Sequence, residues 1–364
     1  MMTENRQILD DLFENYKIDI RRSDVFDTPP EPIPDNFDFD RIEGMMLGLA
    51  IGDSLGKPTE GMLPHDRKDR CGEIRDYLPT SYTDGPIGVP SDDTQLAFWT
   101  LEQMITDRGF NPDHVAQRFC QDRIFGLGSS VRRFLANYKS GNMWFESGPE
   151  SAGNGALMRI APMIIPHLKS ASSELWVDTA LSAMITHNDS GSIAACVSFI
   201  NILWQLLKMD TPPEPNWWLE TYVDVAKKLE LDKKYHSRTR AFPDYAGPIW
   251  QFVEKRVRES YSQNITTREA FEPWYSGAYL LETVPCAIYI LMKHGDNLEE
   301  AIVRAVNDTK DNDTIAAIVG AAAGALHGKN KIPERWISNL SGRTSFSDDG
   351  RIFELLDESK SLWG

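Results

Sequence analysis

Apolar residues recur along this chain at helical rather than strand-like intervals. Ala97, Phe98, Leu101 and Ile105 fall on one face of a helix, and similar spacing runs from Ile193 to Leu207, Trp217 to Leu229, Ile249 to Val257 and Ala278 to Met292, the last expected to be interrupted at Pro285. Asn297 with Glu300 three positions on predicts a capped helix start. Strict alternation flanked by hairpin turns is scarce, and no solenoid-length repeat is evident, so the chain is expected to be all-α. The stretch from Leu63 to Pro90 departs from this pattern. It carries Pro64, Pro79, Pro86 and Pro90 with little helical period, and is expected to be a functional loop forming a rim or lid ahead of Ser91.

Glycines add a second pattern. Gly44, Gly48, Gly52 and Gly56 recur every four residues and so line one face of a helix, for which Asp40 and Glu43 predict a capping box. Each interior glycine costs about 1 kcal/mol relative to alanine, so such a ridge makes sense where two helices touch closely. Ala316, Gly320, Gly324 and Gly328 repeat the spacing. The two helices are predicted to pack together or share a neighbour, bringing Glu60 near Asp311 and Asp313.

The candidate chemistry lies at two helix entrances. Asp311, Asp313 and Thr314 place two carboxylates and a hydroxyl within four positions, and Ser91, Asp92, Asp93 and Thr94 form a similar group far earlier. Carboxylates sharing a cavity repel one another unless a cation lies between them. With only oxygen donors, and no His or Cys in either group, Mg²⁺, Mn²⁺ or Ca²⁺ suits them better than Zn²⁺. Each group taken alone is equally consistent with an N-cap, Ser91 in the early group and Asn312 or Asp311 in the late one serving a helix start and the other acids its dipole.

Composition narrows the classes. With 364 residues, 41% of them hydrophobic, the chain is long enough for one large core or two modest ones. The apolar run from Met45 to Ile51 is too short to span a bilayer, and the first residues lack signal-peptide character. Cys71, Cys120, Cys196 and Cys286 form no paired spacing, which suits a reducing cytoplasm. A net charge of −16 argues against nucleic-acid binding. A monomer is the default expectation.

In order along the chain, the two acidic motifs are joined by Gly44-x-x-x-Gly48-x-Ala50-x-Gly52-Asp53-x-x-Gly56-x-x-x-Glu60, by the loop Gly153-Asn154-Gly155-Ala156-Leu157-Met158-Arg159-Ile160-Ala161-Pro162, and by Thr186-His187. From about Arg41 to Gly328 this order resembles the ADP-ribosylglycohydrolase family. The resemblance implies a compact orthogonal helical bundle over residues 41–364 and removal of ADP-ribose from a modified protein side chain, arginine first. It implies two Mg²⁺ or Mn²⁺ ions held by Ser91, Asp92, Asp93, Asp311, Asp313 and Thr314. Glu60, Asp92 and Asp93 are then expected in catalysis, and Gly153, Asn154, Gly155, Met158 and His187 at the substrate. By residue type alone His187 is a structural hydrogen-bond partner, Arg159 a member of a buried ion pair, and Asp53 a support for the ligands or the fold. One departure stands out: Thr309 and Lys310 occupy positions where many members have two glycines, so Lys310 is expected either to reach a phosphate or to shield the acids. Two other classes stay open, a metal-free binding protein on the same fold and a metal-dependent phosphoester hydrolase.

Residues 1–40 lie outside that resemblance. Ile8, Leu9, Leu12, Phe13 and Tyr16 form a helical apolar stripe, followed by a proline-rich arm from Pro29 to Pro34. Four basic against eleven acidic residues make the segment unsuited to DNA or anionic membrane. It is expected to pack on its own core or stay disordered. A subgroup of the family with this layout, immunity proteins against ADP-ribosyltransferase toxins, implies an alternative in which Phe13, Tyr16, Phe26, Phe37 and Phe39 help plug the toxin's cleft.

Overall fold

The computed structural model describes residues 3–79, 85–346, 348 and 350–364. Its helices begin with α1 (Glu4–Glu14), α2 (Asp40–Gly56), α3 (Pro64–Cys71), α4 (Asp92–Asp107), α5 (Pro112–Gln121) and α6 (Ser129–Lys139). They continue with α7 (Trp144–Ser147), α8 (Glu174–Thr186), α9 (Ser190–Leu206), α10 (Pro215–Leu229), α11 (Ile249–Ser262) and α12 (Thr267–Trp274). The last are α13 (Leu280–His294), α14 (Leu298–Asp308), α15 (Asn312–His327), α16 (Glu334–Ser338) and α17 (Arg351–Trp363). Two-residue strands at Tyr235–His236 and Ala246–Gly247 pair antiparallel and are the only named strands among the described residues. The architecture is all-α, as the periodicity predicts.

The glycine ridges form the axis of the fold. A β-carbon added at Gly44 would lie 2.6 Å from the Gly324 carbonyl oxygen, one at Gly48 2.2 Å from that of Gly320, one at Gly52 2.1 Å from that of Ala316, and one at Gly56 2.4 Å from the Asp313 nitrogen. Backbone therefore rests on backbone along two antiparallel helices, a separation that no side chain permits. Gly328 adds a second requirement, since it leaves α15 at a φ of 79°. At one end of this pair the C-terminus of α2 meets the N-terminus of α15, which brings Lys57 to Glu60 beside Asp311 and Asp313. Asp53, from the last turns of α2, then places α4: its Oδ2 accepts hydrogen bonds from the Ser91 and Thr94 nitrogens at 2.9 and 3.1 Å and from Thr94 Oγ1 at 2.5 Å.

Several local expectations are corrected. Asp40 does not cap α2; Phe39 holds that position without a side-chain bond, while Asp40 accepts the Asn330 N–H and Glu43 turns toward Lys329. Asn297 does cap α14 by accepting from the Glu300 nitrogen at 3.0 Å, but the Glu300 side chain goes to Arg75 and Arg304 instead of closing the box. Pro285 lies inside α13 without interrupting it, because that helix is buried from Leu280 to Met292 and its packing outweighs one missing backbone bond. The proline-rich stretch after Leu63 opens with α3, Pro64 occupying the first turn where its missing N–H costs nothing. Residues 80–84 of the expected rim or lid lie outside the described residues.

The N-terminal segment packs on its own core. Leu9 and Leu12 are buried, Asn5 Nδ2 donates to Asp178 and Arg6 pairs with Glu174, both acids on α8. The proline-rich arm is pinned where Trp176 Nε1 donates to the Thr28 carbonyl and Trp204 Nε1 to that of Glu31, at 2.9 and 2.8 Å. Phe26 and Phe39 are buried, Phe13 and Phe37 half-buried against the core, and Tyr16 alone of the five aromatics stands out, 95% exposed. No described helix is long and apolar enough to cross a membrane.

Candidate functional site

The two acidic groups meet. Asp92 and Asp93 from the start of α4, and Asp311, Asp313 and Thr314 from the start of α15, line one cavity of about 320 Å³ together with Glu60. Carboxylate oxygens of Asp53, Asp93 and Asp313 lie within 4.8 Å of one another, and so do those of Glu60, Asp311 and Asp313. Asp313 thus belongs to both sets. Ser91 is placed differently from the other expected ligands. It is buried and caps α4, its hydroxyl accepting from the Asp93 nitrogen at 3.4 Å and donating to Asp93 Oδ2 at 3.1 Å, and it is not among the residues that line the cavity.

This concentration of acid is electrostatically costly. Burial, then the charges of Asp53 and Asp313, push Asp93 well above the ordinary carboxylate range. Burial and then Asp311 and Glu60 do the same to Asp313, while Asp92 and Asp311 are pushed up to about 6, mainly by burial. Lys57 supplies the nearest cation, its Nζ 2.5 Å from Glu60 Oε2 and 3.5 Å from Asp313 Oδ2. Burial works to lower that ammonium, but Asp313, Glu60 and Asp53 outweigh it and hold it above its usual value. One ammonium cannot balance six carboxylates. Asp53 Oδ1 and Asp93 Oδ1 are buried and accept no hydrogen bond from a described residue, a state expected of oxygens directed at a cation. An all-oxygen donor set of this kind fits hard divalent ions such as Mg²⁺ or Mn²⁺.

The opposite wall comes from the loop at Gly153, Asn154, Gly155 and Met158 and from His187, all of which line the cavity. Asn154 Nδ2 donates to Asp311 Oδ2 at 2.6 Å and to Thr283 Oγ1 at 3.0 Å, tying this loop to the late acids. A β-carbon on Gly155 would meet His187 Cε1 at 2.9 Å, so the loop lies directly against the imidazole. Arg159 sits behind it and is corrected from ion-pair partner to hydrogen-bond donor. It is fully buried and donates to the Ser182 carbonyl at 2.9 Å and to Thr186 Oγ1 at 2.8 Å, with no carboxylate partner among the described residues.

That arrangement surrounds the histidine. Thr186 Oγ1 accepts from Arg159 and lies 2.9 Å from His187 Nδ1, so in the tautomer where the hydroxyl donates to Nδ1 the ring proton resides on Nε2. Burial, and secondarily the Arg159 charge, lower the imidazole to about 3. His187 therefore lines the cavity as a neutral ring. For a lowered histidine the folded form disfavours the proton, so its contribution to stability is full above the unfolded value of about 6.5 and is lost as pH falls toward 3. The kcat/KM profile of the wild type is expected to show no limb near pH 6.5 from this ring. His187→Gln, which keeps a donor, is expected to leave the profile's shape unchanged while raising KM severalfold; a new or lost ionisation would contradict the assignment.

Three features of the site carry little sequence signal. Lys57 enters between the acids from the turn after α2. The segment from Gly126 to Val131 lines the cavity, and a β-carbon on Gly126 would lie 2.4 Å from Asp92 Oδ1; its Gly-x-Gly-Ser-Ser composition before an amphipathic helix was the available clue. Asp53 was legible only as a support. Lys310 neither shields the acids nor faces the cavity. Its Nζ bonds the Tyr275 hydroxyl and lies 4.1 Å from that ring's centre.

Comparison with known proteins agrees with this geometry. A family model described as ADP-ribosylglycohydrolase matches residues 34–362. An uncharacterized protein of Archaeoglobus fulgidus is 29% identical over 84% of this chain and 92% of its own. The ADP-ribosylarginine hydrolase Tri1 of Serratia proteamaculans is 28% identical over 86% and 78%, and human ADP-ribosylhydrolase ARH3 25% over 83% and 89%. A solved structure titled as an ADP-ribosylglycohydrolase-related protein complex superposes with a TM-score of 0.64 at 26% identity, covering 89% of this chain and 97% of that one. With the acids and the glycine axis in place and the family model spanning residues 34–362, the chain belongs to the ADP-ribosylglycohydrolase family, whose members are ADP-ribosyl hydrolases.

Proposed function

We propose that this protein hydrolyses the glycosidic bond between the terminal ribose of ADP-ribose and an arginine side chain of a modified protein. The observation that carries this reading is the sharing of Asp313 between two carboxylate sets at the floor of one cavity. Asp92, Asp93, Asp311, Asp313 and Thr314 would hold two Mg²⁺ or Mn²⁺ ions, with Ser91 and Asp53 as near supports. When bound, such ions bind sugar oxygens and lower the pKa of a coordinated water.

The chain's own residues do the rest. Glycosidic cleavage passes through an oxocarbenium-like state, and a cavity walled by Glu60, Asp92 and Asp93 favours positive charge developing on the ribose. Glu60 projects from the turn after α2 with its side chain 46% exposed, so it reaches both the sugar and water and can direct a proton between them. His187 in its Nε2–H tautomer and the backbone N–H of Gly155 supply donors to ribose oxygens, with Gly153 holding the loop through its bond to Ser151 Oγ. The N-terminus of α6 follows Gly128 with no side-chain cap, so its first N–H groups stay available to the pyrophosphate.

Arginine is chosen over serine or a nucleic-acid end on the name of the Serratia relative. The test is a panel of defined linkages, ADP-ribosyl-arginine, ADP-ribosyl-serine and a generic phosphoester, with free ADP-ribose measured. Release chiefly from arginine is expected. Release chiefly from serine would move the substrate, and phosphoester cleavage without ADP-ribose release would overturn the glycosidic reading. Toxin plugging by residues 1–40 gains nothing from the structure, since Phe13, Phe26, Phe37 and Phe39 are spent on the protein's own core.

A further inference from the structure

We infer that the polypeptide carrying the ADP-ribosyl group leaves the site over Lys310 and Tyr275 into a basic trough that favours acidic residues beside the modified one. This inference rests on the proposed function, because it assigns a path to the substrate's protein part. A second cavity of about 320 Å³ lies back to back with the first. Three separate chain segments step from one to the other within a few residues: Glu60 faces the first and Leu63 the second, Asp311 the first and Lys310 the second, Ala278 the first and Tyr275 the second. The wall between them is closed by the Gly61 N–H donating to the Lys310 carbonyl at 3.0 Å. The diphosphate end has the glycine-rich opposite side, at Gly126 to Ser130, so the bond's other partner is left with this one.

The turn that forms the lip is strained. Tyr275 and Ser276 both hold positive φ, 74° and 46°, in the left-handed region that costs non-glycine residues energy. The Lys310 nitrogen donates to Ser276 Oγ at 3.0 Å and the Asp311 nitrogen to the Ser276 carbonyl at 2.9 Å, so the strained turn is fastened to the strand of chain bearing the site acids. Its effect is to present the Tyr275 ring, 43% exposed, with the Lys310 ammonium on its face.

Beyond the lip, the second cavity adjoins a third of about 330 Å³ through shared Pro64, Arg268 and Asp308. On a protein of net charge −16 this trough is basic. Lys68, Arg268, Lys293, Arg304 and Lys310 line it against Glu73, Glu272 and Asp308, and two of those acids are spent: Asp308 accepts from Thr267 Oγ1 at 2.6 Å and lies 3.7 Å from Arg304, and Glu73 bridges Arg75 and Arg304 at 2.7 and 2.6 Å, while Glu272 stays exposed. Lys68 and Arg268 are exposed and make no ion pair among the described residues. Unpaired cations beside a fixed aromatic lip complement an acidic peptide and repel a basic one.

The test compares kcat/KM on three substrates carrying the same ADP-ribosylated residue: the free modified amino acid, a peptide with flanking Asp and Glu, and one with flanking Lys and Arg. The wild type is expected to prefer the acidic peptide by about tenfold at low salt, and the preference to shrink at 0.5 M salt. Lys68→Glu/Arg268→Glu, two exposed positions, is expected to abolish or reverse the preference while leaving the free modified amino acid unaffected. Equal rates on both peptides in the wild type, or an unchanged preference in the double variant, would overturn the trough. No release from the free modified amino acid would overturn the proposed function, and the trough with it.

Discussion

Asp313→Asn is expected to reduce ADP-ribose release by at least about 10²-fold, the scale seen when a group stabilising transition-state charge is removed. Asp313 is the one residue common to both carboxylate sets, so its loss weakens both at once. The same change is expected to stabilise the metal-free protein. A carboxyl whose folded pKa is raised, as burial, Asp311 and Glu60 raise this one, favours the proton, so the stability it contributes is present at low pH and is lost as pH rises toward the folded value, leaving the metal-free fold under that strain at neutral pH. Asparagine removes that strain. Thermal melting in chelator should therefore rise at pH 7.5, while the further rise on adding Mg²⁺ or Mn²⁺ should be lost. Full activity, or an undiminished metal-induced shift, would show that Asp313 is not shared by the ions.

Gly48→Val carries the largest expected cost in stability. Even a β-carbon at Gly48 would lie 2.2 Å from the Gly320 carbonyl oxygen, and that oxygen and the Gly48 Cα carrying the new carbon both belong to helix backbone, where neither can turn aside. Overpacking of this kind typically costs about 1–3 kcal/mol and more where backbone must move, so a loss at or above the top of that range is expected. Gly109→Ala is the control, since nothing lies within 4 Å of its added carbon. Denaturant unfolding separates the cases: a Gly48→Val protein as stable as the Gly109→Ala protein would mean that α2 and α15 are not in backbone contact.

These two substitutions mark what the sequence made legible. A four-residue glycine period translates directly into a helix face, and two such faces imply a close pair, which in turn joins acidic motifs more than two hundred residues apart. Asp92, Asp93, Asp311, Asp313 and Glu60 were accessible by that route. The proline-rich stretch misled because Pro64 can begin a helix as well as prevent one, and Pro285 because a fully buried helix tolerates a lost bond. Asp40 missed its cap because Asn330, from the turn that follows α15, donates its N–H to that carboxylate. Lys57, Gly126 and the Tyr275 turn were illegible for a shared reason. Their importance comes from contacts with residues distant in the chain, and nothing in their own neighbourhoods announces those contacts.

The most direct test of the convergent acidic site is release of free ADP-ribose from an ADP-ribosylated arginine substrate, first after exhaustive chelation and then on titration with Mg²⁺ or Mn²⁺. The structure leads us to expect no release in chelator and recovery with either ion in the wild type, with neither ion restoring Asp313→Asn. Undiminished release in chelator would contradict the account.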